Sequence, residues 1–117
     1  MEKPYNLEER TFLFAKDCRF YINKLPKTIS NIEDGRQLVR SSGSVGANYI
    51  EANEKLGDKD LSFRLKISRK EAKESRYWLR LLQELNPDLK SISEELLLEA
   101  EELRKIISAI ITKTTKQ

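Results

Sequence analysis

Arg40-Ser-Ser-Gly-Ser-Val-Gly-Ala-Asn-Tyr-Ile-Glu-Ala52 is the stretch of this 117-residue chain that decides its fold. It lies within a helical repeat of spacings three and four, whose members are Leu38, Ser42, Val45, Tyr49, Ala52 and Leu56. A second stripe beside it contains Gly43 and Gly46, and each mid-helix glycine costs about 1 kcal/mol relative to alanine. Close approach of a neighbouring helix would offset that cost, and a kink or break is the alternative. We predict that this stretch is the close-packed centre of a helix bundle.

The composition favours one all-α domain. With 38% hydrophobic and 35% charged residues, the chain can alternate narrow apolar stripes with charged helix faces. Only four glycines and three prolines leave little material for the many turns of an all-β fold. A length of 117 residues suits a single domain, predicted to cover residues 1–117.

Capping and breaking signals delimit four helices. Capping boxes are expected at Asn6-x-x-Glu9, Ser30-x-x-Glu33 and Ser91-x-x-Glu94, an N-cap at Asp58, and stops at Pro26, Gly57 and Asn86-Pro87. The predicted helices span about residues 7–24, 32–55, 59–85 and 92–112. Their short connections imply an antiparallel up-down-up-down four-helix bundle. Ser68, Ala72 and Ser75 give the third helix a small middle, so we expect the second and third helices to form the tightest pair.

Several kinds of chemistry are excluded by composition. The chain has no histidine, which removes histidine-based acid–base catalysis and Ser-His or Cys-His pairs. Its single cysteine, Cys18, lies in an apolar stripe, is predicted to be a buried thiol, and cannot form a cysteine-based zinc site. We therefore expect no catalytic residues, no metal and no cofactor. The chain shows neither a signal peptide nor a membrane-spanning run, so a cytoplasmic protein without membrane contact is expected.

Four segments of the chain are similar to a known family. They are Leu25-Pro-Lys27, Gln37-Leu-Val-Arg-Ser-Ser42, Ser44-Val-Gly-Ala-Asn-Tyr-Ile-Glu-Ala52 and Lys70-Glu-Ala-Lys-Glu-Ser-Arg-Tyr-Trp-Leu79. They resemble the 23S rRNA intervening-sequence protein family, bacterial four-helix bundles of uncharacterised function, over nearly the whole chain. The resemblance implies a homopentamer. It also implies kinship with the accessory variability protein of diversity-generating retroelements, whose relatives are basic bundles implicated in binding nucleic acid and a reverse transcriptase.

The third predicted helix carries a row of five cations, which we call the basic ladder. Its members, at spacings three and four, are Lys66, Arg69, Lys73, Arg76 and Arg80. Such a row could follow a phosphate backbone, whereas a solvated face with local ion pairs such as Lys70 with Glu74 is the alternative. Together with the resemblance, the ladder makes a non-catalytic oligomer that binds RNA or DNA the leading hypothesis. The competing hypothesis is a scaffold whose partner is another protein and whose basic face has no special role.

Large apolar side chains remain outside the predicted core stripes. Those expected to contact another copy of the chain are Leu13, Phe20, Phe63, Ile67 and Trp78. On the third helix this second stripe continues through Leu81 and Leu85. A double-sided apolar helix usually has packing partners on both sides, which favours a homo-oligomer. A broad core with a few exposed apolar residues is the alternative.

The central stretch also has a polar edge, formed by Arg40, Ser44, Asn48 and Glu51. We predict a structural polar network in which Ser44, Asn48 and Glu51 cross to an arginine of another helix or subunit. A ligand site is the alternative, although a serine without a basic partner is not an activated nucleophile.

Overall fold

The structure is a computed structural model that describes residues 6–54 and 56–115. All regular structure in these residues is helical. The helices are α1 (Leu7–Lys24), α2 (Ile29–Asn53), α3 (Asp58–Leu85) and α4 (Lys90–Thr114), with a 3₁₀ turn at Pro87–Leu89 before α4. This confirms the predicted all-α fold.

Each helix packs against the helices before and after it in the chain, and α4 packs back against α1. In every neighbouring pair, the contacts follow opposite orders along the two helices, so that a later residue of one helix meets an earlier residue of the other. The neighbours are Thr11 with Gly46 and Ile22 with Gly35 for α1–α2, Ser41 with Ser75 and Asn48 with Arg64 for α2–α3, Arg69 with Ser108 and Gln83 with Ser93 for α3–α4, and Arg10 with Glu99 and Tyr21 with Ser93 for α1–α4. Adjacent helices are therefore antiparallel, and the four form a closed bundle.

The core is built from one stripe of each helix. Its largest fully buried side chains include Phe14, Tyr21, Leu38, Leu65, Leu79, Leu82, Leu103 and Ile107. The predicted core position Leu56 is wrong, because α2 ends at Asn53 and Leu56 is 95% exposed in the turn that follows. None of the helices in the described residues is long and apolar enough to cross a membrane.

Three helix starts differ from the expected capping residues. The α2 helix begins three residues earlier than predicted because Thr28, rather than Ser30, caps it, its hydroxyl accepting from the Asn31 backbone N–H at 3.1 Å. The N-cap of α3 is Gly57, whose φ of 152° favours glycine, and Asp58 is already the first helical residue. The capping box at Ser91 is unused, because the 3₁₀ turn leads straight into α4 at Lys90. The Asn6 cap of α1 forms, with its side chain accepting from Glu8 N at 2.9 Å.

Helices α2 and α3 share the most extensive contact in the bundle, as predicted. The hydroxyl of Ser75 donates to the Ser41 hydroxyl at 2.9 Å, and Ser68 donates to the Val45 carbonyl at 2.7 Å. Ser41, Ser68 and Ser75 are fully buried. Because small side chains keep little bulk between the two helices, their backbones approach closely and the buried hydroxyls still find partners.

The glycines of α2 face α1 and not α3. A Cβ added at Gly46 would lie 2.8 Å from the Thr11 hydroxyl oxygen and 3.1 Å from the Thr11 Cβ. At Gly43 it would meet only the end of the Arg19 side chain, at 3.2 Å. The helix continues through both glycines without a break, and at Gly46 the close approach of α1 offsets the cost of the glycine.

A reciprocal asparagine pair ties the start of α2 to the end of α3. Asn31 Nδ2 donates to Asn86 Oδ1 at 2.9 Å, and Asn86 Nδ2 donates to Asn31 Oδ1 at 2.8 Å. The same two nitrogens also donate to the carbonyls of Pro26 and Leu82, each at 2.8 Å. Both side chains are buried, so this end of the bundle is held by a fully hydrogen-bonded polar cluster.

Candidate nucleic-acid interface

The basic ladder lies on the side of α3 that borders α4. Lys66, Lys73, Arg76 and Arg80 are exposed, whereas Arg69 is half-buried. The side chain of Arg69 reaches towards α4, with Nη1 3.5 Å from the Ser108 hydroxyl. Because an α-helix rises about 1.5 Å per residue, the ladder from Lys66 to Arg80 is about 21 Å long. The structure thus presents its cations as one row along the bundle.

Most other arginines of the described residues are engaged by carboxylates. Ion pairs form between Arg10 and Glu99, Arg10 and Glu102, Arg36 and Glu33, Arg40 and Glu71, Arg40 and Glu74, Arg64 and Asp60, and Arg104 and Glu101. Within residues 6–54 and 56–115, no ladder side chain makes such a pair. The nearest compensation is the Glu101 carboxylate, which Arg76 influences through space and whose pKa is lowered chiefly by hydrogen bonding to Arg104. Within the described residues, the ladder is therefore a continuous row of cations without carboxylate ion pairs, a property that it shares with isolated exposed lysines such as Lys16, Lys27 and Lys90.

The polar edge of α2 is only partly joined to its neighbour. Ser44 donates to the Arg40 carbonyl at 2.9 Å and Asn48 to the Ser44 carbonyl at 2.9 Å, both within α2. Two of its members contact α3: Asn48 Oδ1 lies 3.4 Å from Arg64 Nη1, and Arg40 pairs with Glu71 and Glu74. Glu51 is exposed. The edge therefore combines hydrogen bonds within α2 with contacts to α3 through Asn48 and Arg40.

Arg40 makes the main charged contact between α2 and α3. Its guanidinium pairs with Glu74 and lies 3.3 Å from Glu71 Oε1, and hydrogen bonding to Glu74 raises the pKa of Arg40. Trp78 Nε1 also donates to Glu74, at 3.3 Å. Burial acts to raise the pKa of Glu74, but the hydrogen bonds from Trp78 and Arg40 outweigh it and the pKa is lowered. The cluster stabilises a charged carboxylate beside the apolar outer surface of α3.

The predicted oligomer-contact residues occupy two separate surfaces. Phe63, Ile67 and Trp78 lie on the outward side of α3, where Phe63 is 59% exposed and Trp78 packs partly against the core. Leu13 and Phe20 lie in a groove between α1 and α4, and Phe20 is 58% exposed. Several exposed apolar residues were not predicted to belong to such surfaces, among them Leu98, 62% exposed in the same groove, and Phe12, 60% exposed beside α2. Plotting α1 and α4 as helical wheels would reveal both, because each lies off its core stripe.

The remaining candidate chemistry is absent or inert. Burial raises the pKa of the Cys18 thiol to about 12, so the thiolate that reacts or binds metal is scarce at neutral pH. In the part of the chain that the structure describes, no group of histidine, cysteine, aspartate or glutamate side chains could hold a metal ion. The described surface offers charge and apolar area rather than a reactive centre.

The fold and its uncompensated cations define the class: a four-helix bundle with one basic helix face. Residues 5–109 match the family model described as "23S rRNA-intervening sequence protein", and the chain belongs to that family. A crystal structure of a protein of unknown function from the S23 ribosomal protein family of Bacteroides thetaiotaomicron is similar, with a TM-score of 0.78 and 27% sequence identity over 91% of this chain and 98% of that one. No curated protein matches the chain. Neither match concerns retroelements, so that relationship stays a prediction.

Proposed function

We propose that this protein is a non-catalytic homo-oligomer that binds RNA or DNA through the basic ladder of α3. The observation that carries the proposal is the contrast between the ladder and the other arginines. Acidic side chains engage Arg10, Arg40 and Arg104, whereas Arg76 and Arg80 are exposed and form no ion pair with any described carboxylate. Uncompensated cations in a row are suited to phosphate groups, whose contacts supply most of the affinity of sequence-independent binding.

Oligomerisation would increase the affinity of the proposed binding. One subunit has a formal net charge of only +3 and one ladder about 21 Å long, so a single copy should bind weakly. Several copies would repeat the ladder, and one polyanion engaging several ladders gains affinity through effective concentration. The homopentamer implied by the family resemblance would carry five ladders.

Binding of this kind should depend little on base sequence. The ladder consists of lysines and arginines on one helix face, which suits contacts with the phosphate backbone rather than with base edges. We place such a protein in the bacterial cytoplasm, where RNA and DNA are accessible to it.

The proposal is tested by charge reversal at the exposed ladder residues. The variant carries Lys73→Glu, Arg76→Glu and Arg80→Glu, and leaves Arg69 intact because it contacts Ser108. A matched control carries Lys16→Glu, Lys27→Glu and Lys90→Glu at exposed positions elsewhere. Each reversal changes the charge by −2, so both triple variants go from +3 to −3. The two therefore differ in where charge is lost and not in how much.

Mobility-shift titrations with single-stranded RNA and duplex DNA across a salt series provide the readout. Wild type should bind at low salt. In the ladder variant, which loses three phosphate contacts in each subunit, the slope of log affinity against log salt should be shallower by about 2 to 3 for each subunit engaged. The control variant should retain most of the slope. An equal loss of affinity in both triple variants would show that binding depends on net charge and not on the ladder. If wild type does not bind at low salt, the protein-scaffold hypothesis is favoured.

A further inference from the structure

A groove runs along the outer side of the α1–α2 pair and consists of two pockets, with volumes of about 460 and 700 Å³. We call it the α1–α2 groove. In the first pocket, the small residues Ala15, Gly43 and Ala47 lie beside the larger Phe12 and Ile50. Phe12 is 60% exposed and Ile50 is 45% exposed. Because three of these residues have little or no side chain, the pocket has space for a large apolar side chain of a partner.

The second pocket continues the groove towards the end of α1. Its lining includes Ile22, Ile32 and Val39, and Ile32 is 47% exposed. From Ile32 to Ile50 the groove follows α2 for about 27 Å, which is the length of an α-helix of about 18 residues. None of the residues predicted to contact another copy of the chain lines either of these pockets. Such contacts would therefore leave the groove accessible to a different partner.

The charge of the groove is mostly positive. The cations that line its two pockets are Lys16, Arg19, Lys27 and Arg36. One carboxylate, Glu8, is among the described lining residues, and it accepts a hydrogen bond from Asn53 at 3.1 Å. By helix spacing, the exposed Glu9 and Glu54 lie at this same end of the groove. Further along, Glu33 pairs with Arg36 at 3.6 Å on the exposed surface. The middle and the far end of the groove are therefore suited to carboxylates of a partner.

Arg19 is held where the two pockets meet by hydrogen bonds to neutral groups. Its Nη1 donates to the Ala15 carbonyl at 3.0 Å and lies 3.4 Å from the Ser42 hydroxyl, and its Nη2 donates to the Val39 carbonyl at 3.2 Å. A guanidinium has five N–H donors, so two of them have no partner among the described residues. Arg19 forms no ion pair with a described carboxylate. Its charge is thus fixed in place, and a carboxylate of a partner could neutralise it.

We infer that the α1–α2 groove binds an acidic amphipathic helix of a partner protein. Large apolar side chains of that helix fill the two pockets, and carboxylates beside them pair with Arg19 and the neighbouring cations. Pockets lined by small and aliphatic residues favour a helix over nucleic acid, whose phosphates are bound mainly by cations. The inference goes beyond the proposed nucleic-acid binding. Because the two use different surfaces, either can fail without the other.

A pair of stapled helical peptides of about 18 residues tests the inference. Both peptides present leucines on one face. The acidic peptide carries glutamates beside that face, and the basic peptide carries lysines at the same positions. Fluorescence anisotropy measures the affinity of each peptide for the wild-type protein. The acidic peptide should bind at least about tenfold more tightly, because the cations of the groove attract glutamates and repel lysines.

Charge reversal shows whether the groove is the site. The groove variant carries Lys16→Glu and Lys27→Glu, one in each pocket and both at exposed positions. Its control carries Lys73→Glu and Arg76→Glu on the basic ladder. Each reversal changes the charge by −2, so both double variants go from +3 to −1. The groove variant should lose about tenfold in affinity for the acidic peptide, whereas the ladder variant should keep most of it.

Alanine substitution tests the apolar part of the contact. Phe12→Ala should weaken the acidic peptide about tenfold, whereas Phe63→Ala, at a 59% exposed position on α3, should not. Ile50→Ala is a second groove variant, for use if circular dichroism shows that Phe12→Ala does not fold. Absent or equal binding of the two peptides, or equal losses in the groove and control variants, would overturn the inference. Displacement of the peptide by duplex DNA would also overturn it. So would a change of oligomer mass in Phe12→Ala by light scattering, because a second copy would then occupy the groove.

Discussion

Helix α2 and the α1–α4 pair represent two ways of packing helices in one small bundle. Helix α2 meets its neighbours through small groups: Ser41 and Val45 face the serines of α3, and Gly46 faces Thr11 of α1. These contacts bury hydroxyls that are hydrogen-bonded and leave no space for a larger side chain at Gly46. The geometry is thus sensitive to the addition of single atoms.

The α1–α4 pair is held by larger side chains and stays open on its outer side. Arg10 bridges the two helices with Nε 2.7 Å from Glu99 Oε2, while Leu13 and Phe20 line a groove below it. Such a surface tolerates change within one subunit, because its apolar side chains already contact solvent. The comparison indicates that close packing specifies the fold around α2, whereas the α1–α4 pair leaves apolar side chains exposed in a groove.

The largest loss of stability is expected at Gly46, where the packing of α1 against α2 leaves no space for a side chain. Gly46→Leu should lower the free energy of unfolding by more than about 3 kcal/mol, because even its Cβ would overlap Thr11. Urea denaturation measures the change. Gly46→Ala and Gly43→Ala form a matched pair, because both gain about 1 kcal/mol of helix propensity. The added Cβ meets only the flexible end of Arg19 at Gly43 but overlaps Thr11 at Gly46, so Gly43→Ala should be the more stable variant. Equal stability of the two alanine variants would contradict the close approach of α1 and α2.

The asparagine pair should be the next most sensitive feature. Asn86→Ala removes two hydrogen bonds from the buried Asn31 amide and should cost about 2 kcal/mol, since a buried polar group loses its partner. The same change at the exposed Asn23 should stay within about 0.5 kcal/mol. A double-mutant cycle with Asn31→Ala should show coupling, and additive single effects would show that the pair does not act as a unit.

On the open side of the bundle, the effect of removing a charge should be smaller. Arg10→Ala should destabilise by about 1.5 kcal/mol, because the guanidinium makes short hydrogen bonds to a partly buried carboxylate of α4. Arg36→Ala removes the exposed pair with Glu33 and should change stability by less than about 0.5 kcal/mol. Thermal unfolding of both variants would check this, and a larger cost for Arg36 would reverse the interpretation.

The smallest expected effect is a pH dependence at the α2–α3 contact. Because the folded-state pKa of Glu74 lies below its ordinary value of 4.5, the group contributes stability above that value and loses it as the pH falls through the folded pKa. Glu74→Gln should therefore lose less stability than wild type on acidification below about pH 4.5. Urea midpoints measured at pH 3 to 7 test the difference, and parallel profiles would contradict it.

Much of the fold follows from local patterns in the chain. The apolar stripes define four helices, the small residues of α2 and α3 indicate a close-packed centre, and the bounds of α1 agree with its Asn6 cap. The helices α2 and α4 begin three and two residues earlier than predicted, because Thr28 caps α2 and the 3₁₀ turn at Pro87–Leu89 leads directly into α4. The basic ladder itself was visible as a periodic row, although its lack of carboxylate partners was not.

Helix periodicity determines which residues share a face, because that depends only on hydrogen bonds and rotation within one segment. It does not say which neighbour a face will meet. The turning of the α2 glycines towards α1, the pairing of Asn31 with Asn86 and the carboxylates that engage Arg10 and Arg40 all join segments distant in the chain. Those contacts depend on how the four helices pack around a common core, and only the tertiary structure shows which side chains meet there.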